Sequence, residues 1–197
     1  MRWIESSERP AARTLAAWQQ TLGERADAAT MAQLAAVTER ARSVAAGTGP
    51  IVALAASALA SAWDHVCDSS VERGGLLIGE PLARSDDDAA PALVHVRAAV
   101  AGLDDEATSM SLRLHTGVWD AARAALQPGE VVVGWFHSHP GIGAFFSGTD
   151  RRTQSGFFHH PFSLGWVIDP QQREQAWFVG RHSDALAPDR IVLLTSA

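Results

Sequence analysis

Between Asp27 and Gly47 the apolar residues Met31, Leu34, Val37 and Val44 recur at helical spacing, with Asp27 placed to cap the start and Gly47 to stop the end. The preceding "AARTLAAWQQTL" is alanine-rich and also reads as a helix, with Ser6 and Ser7 as candidate caps and Gly23 behind it. The texture changes at the turn cluster "GTGP", residues 47–50. That break divides the chain into a helical extension, residues 1–48, and a main domain, residues 49–197.

In the main domain short apolar runs alternate with helical patterns. "IVALAASALASAWDHV" predicts a short strand or turn entering a helix, and "VERGGLLIGEP" a buried strand ended by Pro81. An acidic loop, "LARSDDDAAPA", leads to the strand "LVHVRAAV", the polar loop "AGLDDEATSM" and a short strand, "SLRL". "TGVWDAARAALQPG" predicts a helix capped by Thr116 and stopped at Pro128-Gly129. "EVVVGWFHSH" is an apolar strand, "TDRRTQSGFF" opens a helix, and "FSLGWVIDP", "QAWFVG" and "RIVLL" are further strands. Mixed strands and helices in this order predict an α/β (α+β) fold, with helices flanking one central sheet.

Composition narrows the class. At 47% hydrophobic and 19% charged the chain is too apolar for disorder, and its net charge of -6 gives no support to nucleic-acid binding. No run approaches the roughly 20 apolar residues of a membrane span, and the N-terminus lacks the apolar core of a secretory signal. One cysteine, Cys67, excludes an internal disulfide and fits a reducing, cytoplasmic setting; its expected place is a small buried position. All 16 basic residues are arginine, and lysine, tyrosine and asparagine are absent, as GC-rich codon usage would produce.

The stretch "GWFHSHPGIGAFFSGTD", residues 134–150, concentrates the candidate chemistry. "SGTD" is a serine-x-x-acid box that can cap a helix, which accounts for Ser147 and Asp150 without a metal. It leaves His137 and His139 unexplained. Two residues apart on a strand, they point to the same side. Asp150, eleven positions beyond His139, can return to them from a helix N-terminus. Two imidazoles and one carboxylate suit zinc and leave a fourth position open for water, the arrangement of a catalytic site. Hydrolysis then needs a proton carrier outside the ligand set, and Glu72 in "VERGGLLIG" is the candidate. The scattered histidines 65, 95, 115, 159, 160 and 182 read as surface or core residues, and Trp135 as packing that holds the strand.

"ERGGLLIG" followed by "HSHPGIGAFFSGTD" resembles the JAMM (MPN+) metalloprotease signature, a glutamate, then His-x-His-Pro and Ser-x-x-Asp. From "GWFHSHPG" through "WVIDP" the chain is similar to the isopeptidase subunits of the proteasome lid and the signalosome, and also to prokaryotic deconjugases of ubiquitin-like modifiers. The resemblance implies an MPN/JAB-type mixed sheet with flanking helices. It implies that His137, His139 and Asp150 bind Zn2+, that Glu72 moves the proton of the zinc-bound water to the leaving amine, and that Ser147 stabilises the oxyanion.

It further implies an isopeptidase or peptidase that cuts after the C-terminal glycine of ubiquitin or a ubiquitin-like protein, whose tail lies as an added strand. The loop over residues 99–112 corresponds in order to the insertion that clamps such tails, whereas a second insertion is shortened, with "VIDP" running into "QQREQAWFVG". That points away from linkage-specific polyubiquitin recognition and toward a compact bacterial relative working beside E1-like and E2-like conjugation proteins. In that setting a lysine-free surface escapes self-modification. Two alternatives remain: processing of a sulfur-carrier protein in cysteine or cofactor synthesis, and a non-catalytic MPN scaffold docking through its helical extension.

Overall fold

The computed structural model describes residues 13–23, 27–45, 48–85, 88, 90–102 and 116–195. The candidate caps Ser6 and Ser7, the stop at Gly47, the strand "SLRL", His115 and the part of the 99–112 loop beyond Gly102 lie outside these residues.

One mixed sheet organises the chain, in the order β8-β7-β6-β5-β3-β4-β2-β9, with a two-residue β1 (Arg13–Thr14) beside β3. Strands β2 (Ile51–Ala55), β3 (Gly74–Ala83), β4 (Leu93–Ala101) and β5 (Val131–Ser138) form its middle. β6 (Leu164–Asp169), β7 (Glu174–Val179) and β8 (Asp184–Leu186) extend one side, and β9 (Ile191–Leu194) closes the other. β8 and β9 follow one another in sequence yet occupy opposite ends of the strand order, so the sheet curls. The curl is tight beside β2, where a Cβ on Gly49 would come within 2.8 Å of Leu186 and the backbone has φ +81°. Only glycine fits both demands.

Inside the curl, α3 (Ala56–Val66) presents Ala58, Ala62 and Val66 to Leu54, Leu77, Val96, Phe136 and Trp166. Small residues on that helix face let it lie close to the strands. On the outer face, α1 (Leu15–Gly23) and α2 (Ala28–Ser43) cover β2, β4 and β9 through Leu15, Trp18, Leu34 and Val37. The expected Asp27 cap is in place, its carboxylate accepting the Thr30 N–H. The other half of the outer face carries α4 (Thr116–Ala125), packed in one cluster with Leu76, Ile78 and Trp135, and α5 (Gly148–Phe157), bonded to Trp135 through Gln154. Among the described residues no helix is long and apolar enough to cross a membrane.

Several details differ from the sequence reading. β3 runs through Pro81 to Ala83 instead of ending there; pairing to β5 stops at Gly79 and pairing to β1 starts at Leu82, so a residue without an N–H fits the gap. Arg13 and Thr14 are strand, and the first helix starts at Leu15. Thr116 is the first residue of α4 itself. Cys67 is exposed, because it falls one residue past α3, beyond the turn that packs on the sheet.

A bulge in β5 sets the direction in which its last residues face. Opposite β3, the register jumps from Gly134 to Val132, leaving Val133 as the extra residue. Val133 and Phe136 both face the inner cluster, while Val132 and Trp135 face the outer one, so the alternation reverses across the bulge. His137, two residues past Trp135, is thereby aimed at the outer face, where α5 lies.

His95 on β4 is buried under α1, 5.2 Å from the Trp18 ring, and neither ring nitrogen has a partner among the described residues. Burial pulls its pKa down to about 4; Glu130 opposes this, and Arg97 and Arg13 add to it. The folded state thus keeps His95 neutral while the unfolded chain protonates below its ordinary value of 6.5. Stability is therefore lost as pH falls from 6.5 toward 4, by about 3 kcal/mol from this residue alone. Denaturant midpoints at pH 7 and 4.5 should show His95→Leu losing less stability in acid than the parent; an equal loss would refute this.

Candidate metal centre

His137 is the penultimate residue of β5, and His139 stands just beyond the strand, where its N–H donates to the Ile168 carbonyl at the end of β6. Their Nε2 atoms are 3.1 Å apart. Asp150 approaches from the first turn of α5, with Oδ1 at 3.3 Å from His137 Nε2 and Oδ2 at 3.6 Å from His139 Nε2. All three side chains are buried, and among the described residues they form the one cluster that could hold a metal ion. For a tetrahedral ion with bonds of about 2.0–2.1 Å, donors lie about 3.3 Å apart. The imidazoles are 3.1 Å apart, the two carboxylate oxygens lie 3.3 Å and 3.6 Å from one ring each, and one atom from each residue falls within 4.8 Å of the others, so the donor set can gather around such an ion.

The capping reading of "SGTD" also holds. Ser147 Oγ accepts the Asp150 N–H at 3.2 Å, and Asp150 Oδ2 accepts the Ser147 N–H at 2.6 Å. The reciprocal cap orients the carboxylate toward the histidines, so one motif starts the helix and aims the donor. The Ser147 side chain thus accepts from the backbone of Asp150 and also helps hold the Asp150 carboxylate in its charged form.

Glu72 lies two residues before β3, with Oε1 3.8 Å from His139 Nε2 and its side chain 15% exposed. Its segment is tied to the end of β5: Arg73 N–H donates to Ser138 Oγ and Ser138 N–H donates to the Arg73 carbonyl. Burial raises the Glu72 pKa, with Asp150 adding to the rise and His139 opposing it. His137 is held neutral, since burial lowers its pKa more than Asp150 raises it. Burial works against a charged His139 too, but Asp150 and Glu72 together raise it. Burial alone would raise Asp150; hydrogen bonds to the two imidazoles and the Ser147 cap hold it well below the usual carboxylate range.

A family model described as prokaryotic homologs of the JAB domain matches residues 54–179. The chain belongs to that family. An NAD(+) hydrolase, TcpA, from a Theionarchaea archaeon is 31% identical over 110 residues, 55% of this chain and 30% of its own length. The 26S proteasome regulatory subunit rpn11 of Schizosaccharomyces pombe is 48% identical over 44 residues, 22% of this chain and 14% of its own. This chain thus spans less than a third of either relative. A Desulfitobacterium hafniense protein solved in solution shares the fold of this JAB domain at 21% identity and TM-score 0.54, covering 73% of this chain and 93% of its own.

The five residues singled out in the sequence thus meet at one place in this JAB domain. Of the remaining histidines, those at 65, 95, 159, 160 and 182 stand outside the cluster. Three neighbours of the site were not anticipated. Gln154 is fully buried one turn after Asp150 on α5, a position its i+4 spacing could have revealed. Asp169, also fully buried, accepts the N–H groups of Gly141, Gly143, Gln171 and Gln172, which pins the loop after His139 and depresses its own pKa despite burial. Phe145 stands edge-on to His139 at 5.0 Å and is 46% exposed; nearby Ile142 is 61% exposed.

Proposed function

We propose that this JAB domain is a zinc-dependent peptidase or isopeptidase that cuts after the C-terminal glycine of a ubiquitin-like modifier. What carries the reading is the convergence of His137, His139 and Asp150 into one cluster that could hold a metal, with a largely buried Glu72 against His139. Zinc, when bound by these three side chains, would supply Lewis-acid polarisation of the scissile carbonyl and acidification of water.

The chain's own residues supply the rest. Glu72 takes the proton of the attacking water as the new C–O bond forms, then delivers it to the nitrogen as the C–N bond breaks. Its burial brings the carboxyl closer in basicity to the groups it must exchange with. Ser147 donates a hydrogen bond from its hydroxyl to the carbonyl oxygen as negative charge develops there. His137 is walled by Trp135 and Phe146, whereas His139 is bordered by the exposed Phe145, so substrate approaches over the His139 side. E1-like and E2-like conjugation proteins acting in a cytoplasmic setting belong to the same proposal.

The test is cleavage of a modifier joined through its C-terminal glycine to a reporter protein, with glycine-ended sulfur carriers and NAD+ offered separately. The reading predicts reporter release that a chelator stops and zinc restores, and NAD+ left intact. Preference for the sulfur-carrier fusion would move the substrate to that class. Chelator-sensitive NAD+ consumption, or no cleavage by zinc-loaded protein, would overturn the reading.

A further inference from the structure

A ligating imidazole is normally held by a hydrogen bond on its second nitrogen. His137 lacks that support: its Nδ1 is buried and has no hydrogen-bond partner among the described residues. What holds its ring is a stack. The Trp135 indole lies parallel to it, with centroids 4.5 Å apart and planes 7° from parallel. Trp135 is itself fixed by donating from Nε1 to Gln154 Oε1 at 2.7 Å.

Gln154 is a fully buried amide with every hydrogen-bonding atom engaged. The two hydrogens of its Nε2 are shared among the carbonyls of Phe158 at 3.1 Å, Ser163 at 3.0 Å and Gly180 at 3.3 Å. Those contacts tie it to the end of α5, the start of β6 and the end of β7. It also sits one turn beyond Asp150 on the same helix. α5 has little apolar surface of its own, and Asp150 and Gln154 are its buried residues. The amide therefore does for this helix what a core leucine does elsewhere, with directional bonds in place of volume.

We propose that Gln154 and Trp135 form a positioning relay that sets the His137 ring relative to Asp150. This rests on the metal-site reading of the three donors. The relay replaces the missing hydrogen bond on Nδ1: α5 carries one donor directly through Asp150 and orients another through Gln154, Trp135 and the stack. Neither relay residue touches the reacting atoms.

A second tryptophan–glutamine pair in the same sheet provides the control. Trp166 Nε1 donates to Gln175 at 3.0 Å, and its ring stacks on Trp177, not on a donor of the site. Trp135→Phe and Trp166→Phe each delete one indole N–H bonded to a glutamine. Zinc affinity by chelator competition and the visible spectrum of the cobalt-substituted protein are read for both, with thermal unfolding of the zinc-free proteins alongside. Trp135→Phe should weaken zinc binding by about 10- to 100-fold and change the cobalt spectrum, while Trp166→Phe leaves both unchanged at a similar loss of thermal stability. Equal effects of the two variants on zinc, or none from Trp135→Phe, would overturn the relay. Because zinc is read directly, failure of the relay is distinct from failure of the metal site, in which the parent protein itself would not bind.

Discussion

Glu72→Gln should reduce kcat by about 10²- to 10⁴-fold while the protein keeps its zinc. Glutamine preserves the shape of the side chain and can still hydrogen-bond, but it cannot carry a proton between water and amine. Glu72 lies 3.8 Å from His139 Nε2 and outside the cluster of three. Its loss therefore leaves the donor set intact. Rate falling with zinc content unchanged is the signature of a proton carrier. A parallel fall in zinc would make Glu72 a ligand, and an unchanged rate would remove it from the chemistry.

Asp150→Asn should do the reverse, with zinc lost first and activity following. The asparagine oxygen can still accept the Ser147 N–H, and the Asp150 backbone N–H still reaches Ser147 Oγ, so the start of α5 survives. What disappears is the negative charge between two buried imidazoles, one of which is held neutral by burial. Outer contacts of metal ligands are worth about 10- to 100-fold in affinity, so loss of a ligand should exceed roughly 100-fold. Chelator competition measures this directly, and unchanged circular dichroism shows that the helix persists. Wild-type zinc affinity in Asp150→Asn would confine Asp150 to its capping role.

The site is more legible in the sequence than its supports are. His137, His139, Ser147 and Asp150 sit within fourteen consecutive positions, and strand periodicity with a capping box places them on facing elements. Even there the geometry depends on something the sequence does not display. The Val133 bulge turns His137 outward, and nothing in "EVVVGWFHSH" distinguishes a bulged strand from a regular one. Glu72 is named by the need for a proton carrier and secured only by the family resemblance, since a glutamate before a buried strand is ordinary and its approach to His139 is tertiary. Asp169 escapes notice because burial, not residue type, gives it its role, and Gln154 offers only its i+4 spacing from Asp150, since a surface glutamine and a surface aspartate look the same in sequence.

The elements that pattern misses are those that only pairing creates. β1 has two residues and β8 three, too short for any alternation to register. The longer elements, β2 through β7 and α2 through α5, carry enough periodic residues for pattern to locate them, though not their ends. Pro81 and Cys67 show the limit at boundaries. Pro81 lies within a strand that a gap in pairing lets continue, and Cys67 lies one residue beyond the helix whose face reaches the core.

X-ray absorption at the zinc edge of the zinc-loaded protein reads the donor set itself. One zinc per chain is predicted, with nitrogen and oxygen donors at about 2.0–2.1 Å and the scattering of two imidazoles. A sulfur shell at about 2.3 Å, which would bring in Cys67, or the absence of imidazole scattering would contradict a centre built from His137, His139 and Asp150.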